Sequence, residues 1–157
     1  MLTQIDMEDL LEQYQNGPVL LSNSLLGISE EDLERALAPG KWTIRQIVAH
    51  LADTEISYTF RLRKILAEKT GLLTVFEQDQ WVSELSANQI PVAVSVKLIQ
   101  ALRDFNFIAL QQLPPERFLE TGIHETDGTV SAYQLLQKVT DHLVHHVDQI
   151  DALRNTN

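Results

Sequence analysis

The residues best suited to chemistry lie near the C-terminal end, where His142, His145, His146 and Gln149 share one helical stretch. At 100° per residue, His142 and His146 project about 40° apart on one face. That face also carries Leu135, Val139 and Leu153, so both imidazoles point toward the core side. His145 falls about 60° to the other side of His142, at the edge of the stripe. An imidazole on a core-facing stripe needs a partner, because an unpaired buried polar group costs roughly 1–3 kcal/mol. One solution is a hydrogen bond to a carboxylate or carbonyl. The other is a shared ion, since an i, i+4 histidine pair converges on one metal. Two ligands are too few for a stable site. His50 and His124 are the candidates for a third, and spacing alone does not choose between them.

Other polar residues could surround such a site. Asp53 is one turn from His50 and could accept a hydrogen bond from a ligand imidazole, or be a plain surface carboxylate. Arg61 is three turns after His50 and within about 20° of its face, so its guanidinium could lean back toward the pocket. There it could pair with an anionic ligand; the alternative is a structural ion pair with Asp53, Glu55 or another acid. Gln149 shares the face of His142 and could orient a ligand, or bridge helices. His124 sits before Gly128 in a stretch without helical periodicity, as an acid/base group or a surface residue. Trp42 and Trp81 read as packing residues, and Arg45 and Arg63 as solvated.

The elements that must position these residues are helical. Leu10, Leu11, Tyr14, Leu21, Leu25 and Leu26 mark a first helix over about 7–26, with a kink or break expected at Gly17-Pro18. Ser29 caps a short turn reaching Ala36. Thr43 with Gln46 forms a capping box for a second long helix that ends near Lys69. Asp79-Gln80-Trp81 opens a short helix, and a third long helix runs from about Val92 to Gln112, stopped by Pro114-Pro115. The segment 118–128 reads as a loop. A fourth helix begins near Val130, where Ser131 with Gln134 offers a second capping box, and continues to about Arg154. Few stretches alternate with period two, which argues against a sheet. The expected fold is all-α: a four-helix bundle of antiparallel type with short additional helices in the connections, forming one domain over residues 1–157.

Composition narrows the function. The chain has 157 residues, no cysteine and a net charge of −10. The charge argues against a nucleic-acid partner. No apolar run approaches a membrane span and no signal-peptide pattern opens the chain, so no membrane and a cytoplasmic location are expected. Without cysteine, thiolate ligands and a cysteine nucleophile are excluded. Six of the basic residues fall between Lys41 and Lys69, allowing a local positive field. Leu72, Leu73, Val75 and Phe76 are apolar residues that one bundle does not need inside, and they could serve a homodimer.

Two motifs carry a resemblance. Lys41-Trp42-Thr43-Ile44-Arg45-Gln46-Ile47-Val48-Ala49-His50-Leu51-Ala52-Asp53 and the stretch from His142 to Ile150 resemble the DinB/YfiT-like superfamily of metalloenzymes. The segments 76–81 and 122–128 are similar to the branch of the bacillithiol S-transferases, although Val139 stands where that branch often has an aromatic residue. The resemblance implies a four-helix bundle with one divalent ion (zinc, nickel, iron or manganese) held by His50, His142 and His146. It selects His50 over His124. It also implies a small-molecule substrate and thiol transfer onto an electrophile, with a low-molecular-weight thiol as cosubstrate. Alternatives are a metal-dependent hydrolase or a non-catalytic binding module of the stress response. Which residues act as acid or base is left open.

Overall fold

A computed structural model describes residues 2–69 and 71–155. Four long helices form the body: α1 (Gln4–Ser24), α3 (Ile44–Arg63), α5 (Val92–Leu110) and α6 (Ala132–Arg154). The connections hold the short helices α2 (Glu30–Leu33) and α4 (Gln78–Glu84) and 3-10 turns at Ala87–Gln89 and Pro115–Leu119. The predicted capping boxes both form; α3 starts directly after Thr43, and α6, expected from near Val130, starts at Ala132. Thr43 accepts from the Gln46 amide and Gln46 answers the Thr43 amide, and Ser131 and Gln134 repeat the pattern. α3 passes into a single π-helical stretch, Lys64–Glu68, and ends at Lys69 with φ 54°.

The helices pack in the order α1, α6, α3, α5 around the core. The antiparallel expectation holds for α3 with α6 and for α1 with α5. It fails for the other two neighbouring pairs. α1 and α6 finish at the same end, where Ser24 donates to Asp151 at 2.5 Å and Arg154 donates to the Leu26 carbonyl at 2.8 Å. α3 and α5 run side by side in one direction, Glu55 meeting Arg103 and Thr59 meeting Asn106. The connection 64–91 must therefore return along the bundle. No helix among the described residues is long and apolar enough to cross a membrane.

A small sheet also departs from the reading of 118–128 as a loop. β1 (Leu72–Leu73), β2 (Thr121–His124) and β3 (Gly128–Ser131) pair in that order, parallel then antiparallel. Its signal was faint because one inward position of β2 is Gly122, which interrupts the hydrophobic alternation. Gly128, at φ 73°, closes the hairpin in a left-handed conformation that suits glycine. Leu73 is part of the core rather than a surface residue, while Leu72 is exposed.

Nor does α1 break at Gly17-Pro18. Pro18 has no N–H, so the Tyr14 carbonyl one turn earlier loses its helical partner. Arg103 replaces it, donating Nη1 to that oxygen at 2.7 Å. Gly17 makes room: a Cβ there would stand 2.4 Å from Arg103 Nη1. The same guanidinium donates Nη2 to Glu55 at 3.0 Å and to the Val139 carbonyl at 3.2 Å. Tyr14 donates to Glu55 at 3.0 Å, and Asn106 donates to Tyr14 and Thr59 at 3.1 and 2.8 Å. Burial and the Glu55 charge raise the Tyr14 pKa, keeping its proton available for that bond. One buried cation thus ties all four helices together.

Candidate metal centre

α3 and α6 bring His50, His142 and His146 together. His142 Nε2 lies 3.2 Å from His50 Nε2 and 3.1 Å from His146 Nε2, and the three ligand atoms all fall within 4.8 Å of one another. His50 and His146 are buried and His142 is half-buried. The rings meet edge-on, with interplanar angles of 75–83°. His50 faces inward because it flanks the Ile47–Leu51 stripe, and Trp42 covers it with ring centroids 4.6 Å apart.

Burial favours the neutral form of each ring. The His50 pKa falls to about 3, through burial first and then its two neighbours. His142 falls to about 4, through burial first and then His146, with His145, Arg103 and Lys138 adding to the effect. Burial lowers His146 too, against the hydrogen bond it donates to Gln149, which raises it. Three neutral imidazoles with facing Nε2 atoms cannot satisfy one another, since each ring has one hydrogen and one lone pair. The Nδ1 atoms of His50 and His142 are buried without partners. A divalent cation among the Nε2 atoms would accept all three lone pairs, so the donor set fits the ion that the resemblance implies.

Gln149 settles the tautomer of His146. Its Oε1 lies 2.8 Å from His146 Nδ1, so the ring hydrogen sits on Nδ1 and Nε2 is left as a ligand. Its amide nitrogen is 3.4 Å from Nε2 of the exposed His145, which stays outside the triangle. Two clefts reach the centre. One of about 420 Å³ runs past Trp42, Lys41 and Asp79 to His146 and Gln149. Another of about 480 Å³ runs past Lys138 and Asp141 to His142 and His145.

Other sequence candidates take different positions. Arg61 is buried but turns away from the triangle, donating Nε and Nη2 to the Thr74 carbonyl at 3.2 and 2.6 Å and lying over the Tyr58 ring. Its proposed ion pairs with Asp53 or Glu55 do not form; Glu55 belongs to Arg103. His124 is buried in β2, where Nδ1 accepts from the Thr126 and Asp127 amides at 3.4 and 3.3 Å. It serves the hairpin turn and stands outside the cluster. Asp53 is half-buried with its pKa raised by burial, and it does not reach the unpartnered His50 Nδ1. Arg45 pairs with Glu30 and Glu34, and the guanidinium of Arg63 lies over Phe105. Sequence reasoning passed over the second role of Trp42, which both packs on His50 and lines a cleft. It also passed over Arg103, although Ile99, Arg103, Asn106 and Leu110 fall on one helical stripe that would have signalled a buried cation.

A model of the DinB superfamily matches residues 13–150, a span that includes all three histidines. The chain belongs to the DinB superfamily. A protein of Oceanobacillus iheyensis named "putative metal-dependent hydrolase" is 27% identical to this DinB chain over 152 residues, covering 97% of this chain and 88% of the relative. Among solved structures, YfiT from Bacillus subtilis is described as "a probable metal-dependent hydrolase with an unusual four-helix bundle topology". It matches with a TM-score of 0.91 at 21% identity, over 98% of this chain and 88% of that one. A mycothiol-dependent maleylpyruvate isomerase shares the fold at a TM-score of 0.71 and 17% identity, over 94% of this chain and 63% of the isomerase. The fold is thus shared with a neighbour of nearly the same extent.

Proposed function

We propose that the chain is a metal-dependent enzyme that joins a low-molecular-weight thiol of the bacillithiol type to a small electrophile. The observation that carries metal dependence is the triangle of three neutral Nε2 atoms at the meeting point of two clefts. A purely structural site would be closed by a fourth protein ligand, and no fourth His, Cys, Asp or Glu joins the cluster among the described residues. When bound, a divalent ion there acts as a Lewis acid and favours the deprotonated form of a thiol or of water.

The chain's own part is positioning. His50, His142 and His146 hold the ion, and Gln149 fixes the ring of His146. Trp42 shields His50 from water. Lys41 and Lys138 are the cations lining the two clefts, suited to an anionic cosubstrate. The chain has no cysteine, so the thiol arrives from outside. Its S–H proton goes to solvent and its sulfur bonds to the electrophilic carbon, while that carbon's bond to its leaving group breaks and the leaving group departs with the electron pair. The mycothiol dependence of the isomerase that shares the fold supports this choice of nucleophile. The names of the Oceanobacillus and Bacillus proteins favour a second reading, in which the nucleophile is water and the reaction is hydrolysis.

The test has two parts. Elemental analysis of the purified protein is expected to find one ion per chain, and much less in His50→Ala. Equal metal content in both would remove His50 from the site. The metal-loaded protein is then given an activated electrophile with and without bacillithiol. Thiol consumed in step with electrophile supports transfer. Turnover undiminished without thiol supports hydrolysis. Metal bound without turnover of either kind would make the chain a binding module.

A further inference from the structure

Two arginines are buried among the described residues, Arg103 at 0% exposure and Arg61 at 5%. Arg103 is paired with Glu55. Arg61 has no carboxylate within ion-pair distance among the described residues. A buried charge normally keeps a counter-ion, because leaving water is costly for it. The acids that face Arg61 are engaged elsewhere: Asp127 with Lys138 at 3.0 Å, and Glu125 with the Val75 amide at 2.8 Å. They attract the guanidinium only from a distance, and burial outweighs them in lowering its pKa. Nε and Nη2 of Arg61 are spent on the Thr74 carbonyl. Nη1 has no partner, and it is not one of the buried unpartnered atoms, so it opens to solvent. The Tyr58 hydroxyl is in the same condition, and Arg61 Cζ stands 5.2 Å from the centre of the Tyr58 ring. An uncompensated positive charge and two open donors therefore share one spot.

We propose that Arg61 and Tyr58 bind a carboxylate carried by a small-molecule ligand whose other end reaches the three histidines. One cation with an N–H and an O–H to offer matches the two oxygens of a monoanionic carboxylate. The guanidinium turns away from the histidine triangle, so what it takes is the far end of the ligand. For the near end the proposal rests on the thiol reading above.

The placement suits a ligand that spans both ends. His50, Thr54, Tyr58 and Arg61 follow one another along α3 at about one turn each, within about 80° of one face. Tyr58 is about 12 Å and Arg61 about 16 Å from His50 along the axis, less the lean of long side chains toward the helix N-terminus. Thr54, one turn from His50, is buried with its hydroxyl unpartnered. On the antiparallel α6, Lys138 stands one turn before His142 and is near enough to interact electrostatically with both Tyr58 and Arg61. The cleft that reaches His142 also runs past Lys138. Lys138 already has a carboxylate in Asp127, which leaves Arg61 as the cation without one.

The experiment is isothermal titration calorimetry of the zinc-loaded full chain with three probes. They are 8-mercaptooctanoate, 8-mercaptooctanol, which keeps the thiol and loses the charge, and octanoate, which keeps the charge and loses the thiol. The wild type is expected to bind the mercapto acid about ten- to a hundredfold more tightly than the alcohol. Arg61→Gln keeps a donor for the Thr74 carbonyl and removes the charge. It should erase that preference and leave the Kd of the alcohol and the zinc content unchanged. Tyr58→Phe keeps the ring and should lose about fivefold of the preference; it decides the matter if Arg61→Gln does not fold. Equal Kd values for acid and alcohol in the wild type overturn the carboxylate site and leave the thiol reading standing. Octanoate binding that depends on Arg61, with nothing gained from the thiol, supports the carboxylate site and counts against the thiol reading. A preference undiminished in both variants, or one lost only in Lys138→Gln, overturns the proposal.

Discussion

Two buried polar clusters occupy the interior of this bundle, and they are resolved in opposite ways. Around Arg103, nearly every hydrogen-bonding group has a partner: Tyr14, Glu55, Thr59, Asn106 and the Val139 carbonyl complete one another, and of the guanidinium only Nε lacks a contact. Around His142, three lone pairs converge and two Nδ1 atoms are unpartnered. A cluster that satisfies itself is part of the fold. One that cannot be satisfied by its own members is arranged for something else.

The contrast can be broken most strongly at Arg103. Arg103→Leu leaves Glu55 buried without its cation and the Tyr14 carbonyl without a donor. It should cost about 3–5 kcal/mol of stability in urea unfolding. Any protein that stays folded should keep its metal content. The histidines should behave the other way. Zinc at 100 times its Kd should stabilise the wild type by about 2.7 kcal/mol in thermal unfolding. His142→Ala should lose that gain, with little effect on the metal-free protein. A smaller effect is expected at Gln149. Gln149→Ala frees the ring of His146 and should weaken metal affinity by about 10–100-fold in a chelator competition assay.

Acid provides the gentlest probe. His50 and His142 titrate at about 3 and about 4 in the folded protein, against 6.5 for an ordinary histidine. The unfolded chain therefore takes up protons first as the pH falls. The neutral rings leave stability untouched above about pH 6.5, and it should be lost progressively from there toward pH 4 and below. His142→Leu should remove about one proton from that slope in the metal-free protein. An unchanged slope would mean that His142 is not held neutral.

Much of this arrangement was legible in the sequence, for reasons specific to each part. Local rules located the helices: the Thr43–Gln46 and Ser131–Gln134 boxes place the starts of α3 and α6 without any tertiary information. The His142–His146 pair follows from helical periodicity alone. His50 required the resemblance, because no local rule says which helix will lie beside α6. The pairing of parallel neighbours was hidden for the same reason. So was the role of Gly17-Pro18, which reads locally as a break and is rescued only by a guanidinium 89 positions from the Tyr14 carbonyl it serves. Arg61 shows the opposite failure. Its helical phase was right for the metal face, but the Thr74 carbonyl offered a nearer partner.

The borrowed hydrogen bond at Pro18 also orders events in time. Before α5 arrives, α1 is interrupted at its middle, with a glycine, a proline and an orphaned carbonyl in succession. Its two halves can each form turns, but they gain a common axis only when Arg103 docks. The second half of α1 should therefore mature with the tertiary structure and not ahead of it. In hydrogen exchange its amides should open together with those of α5, as one cooperative unit.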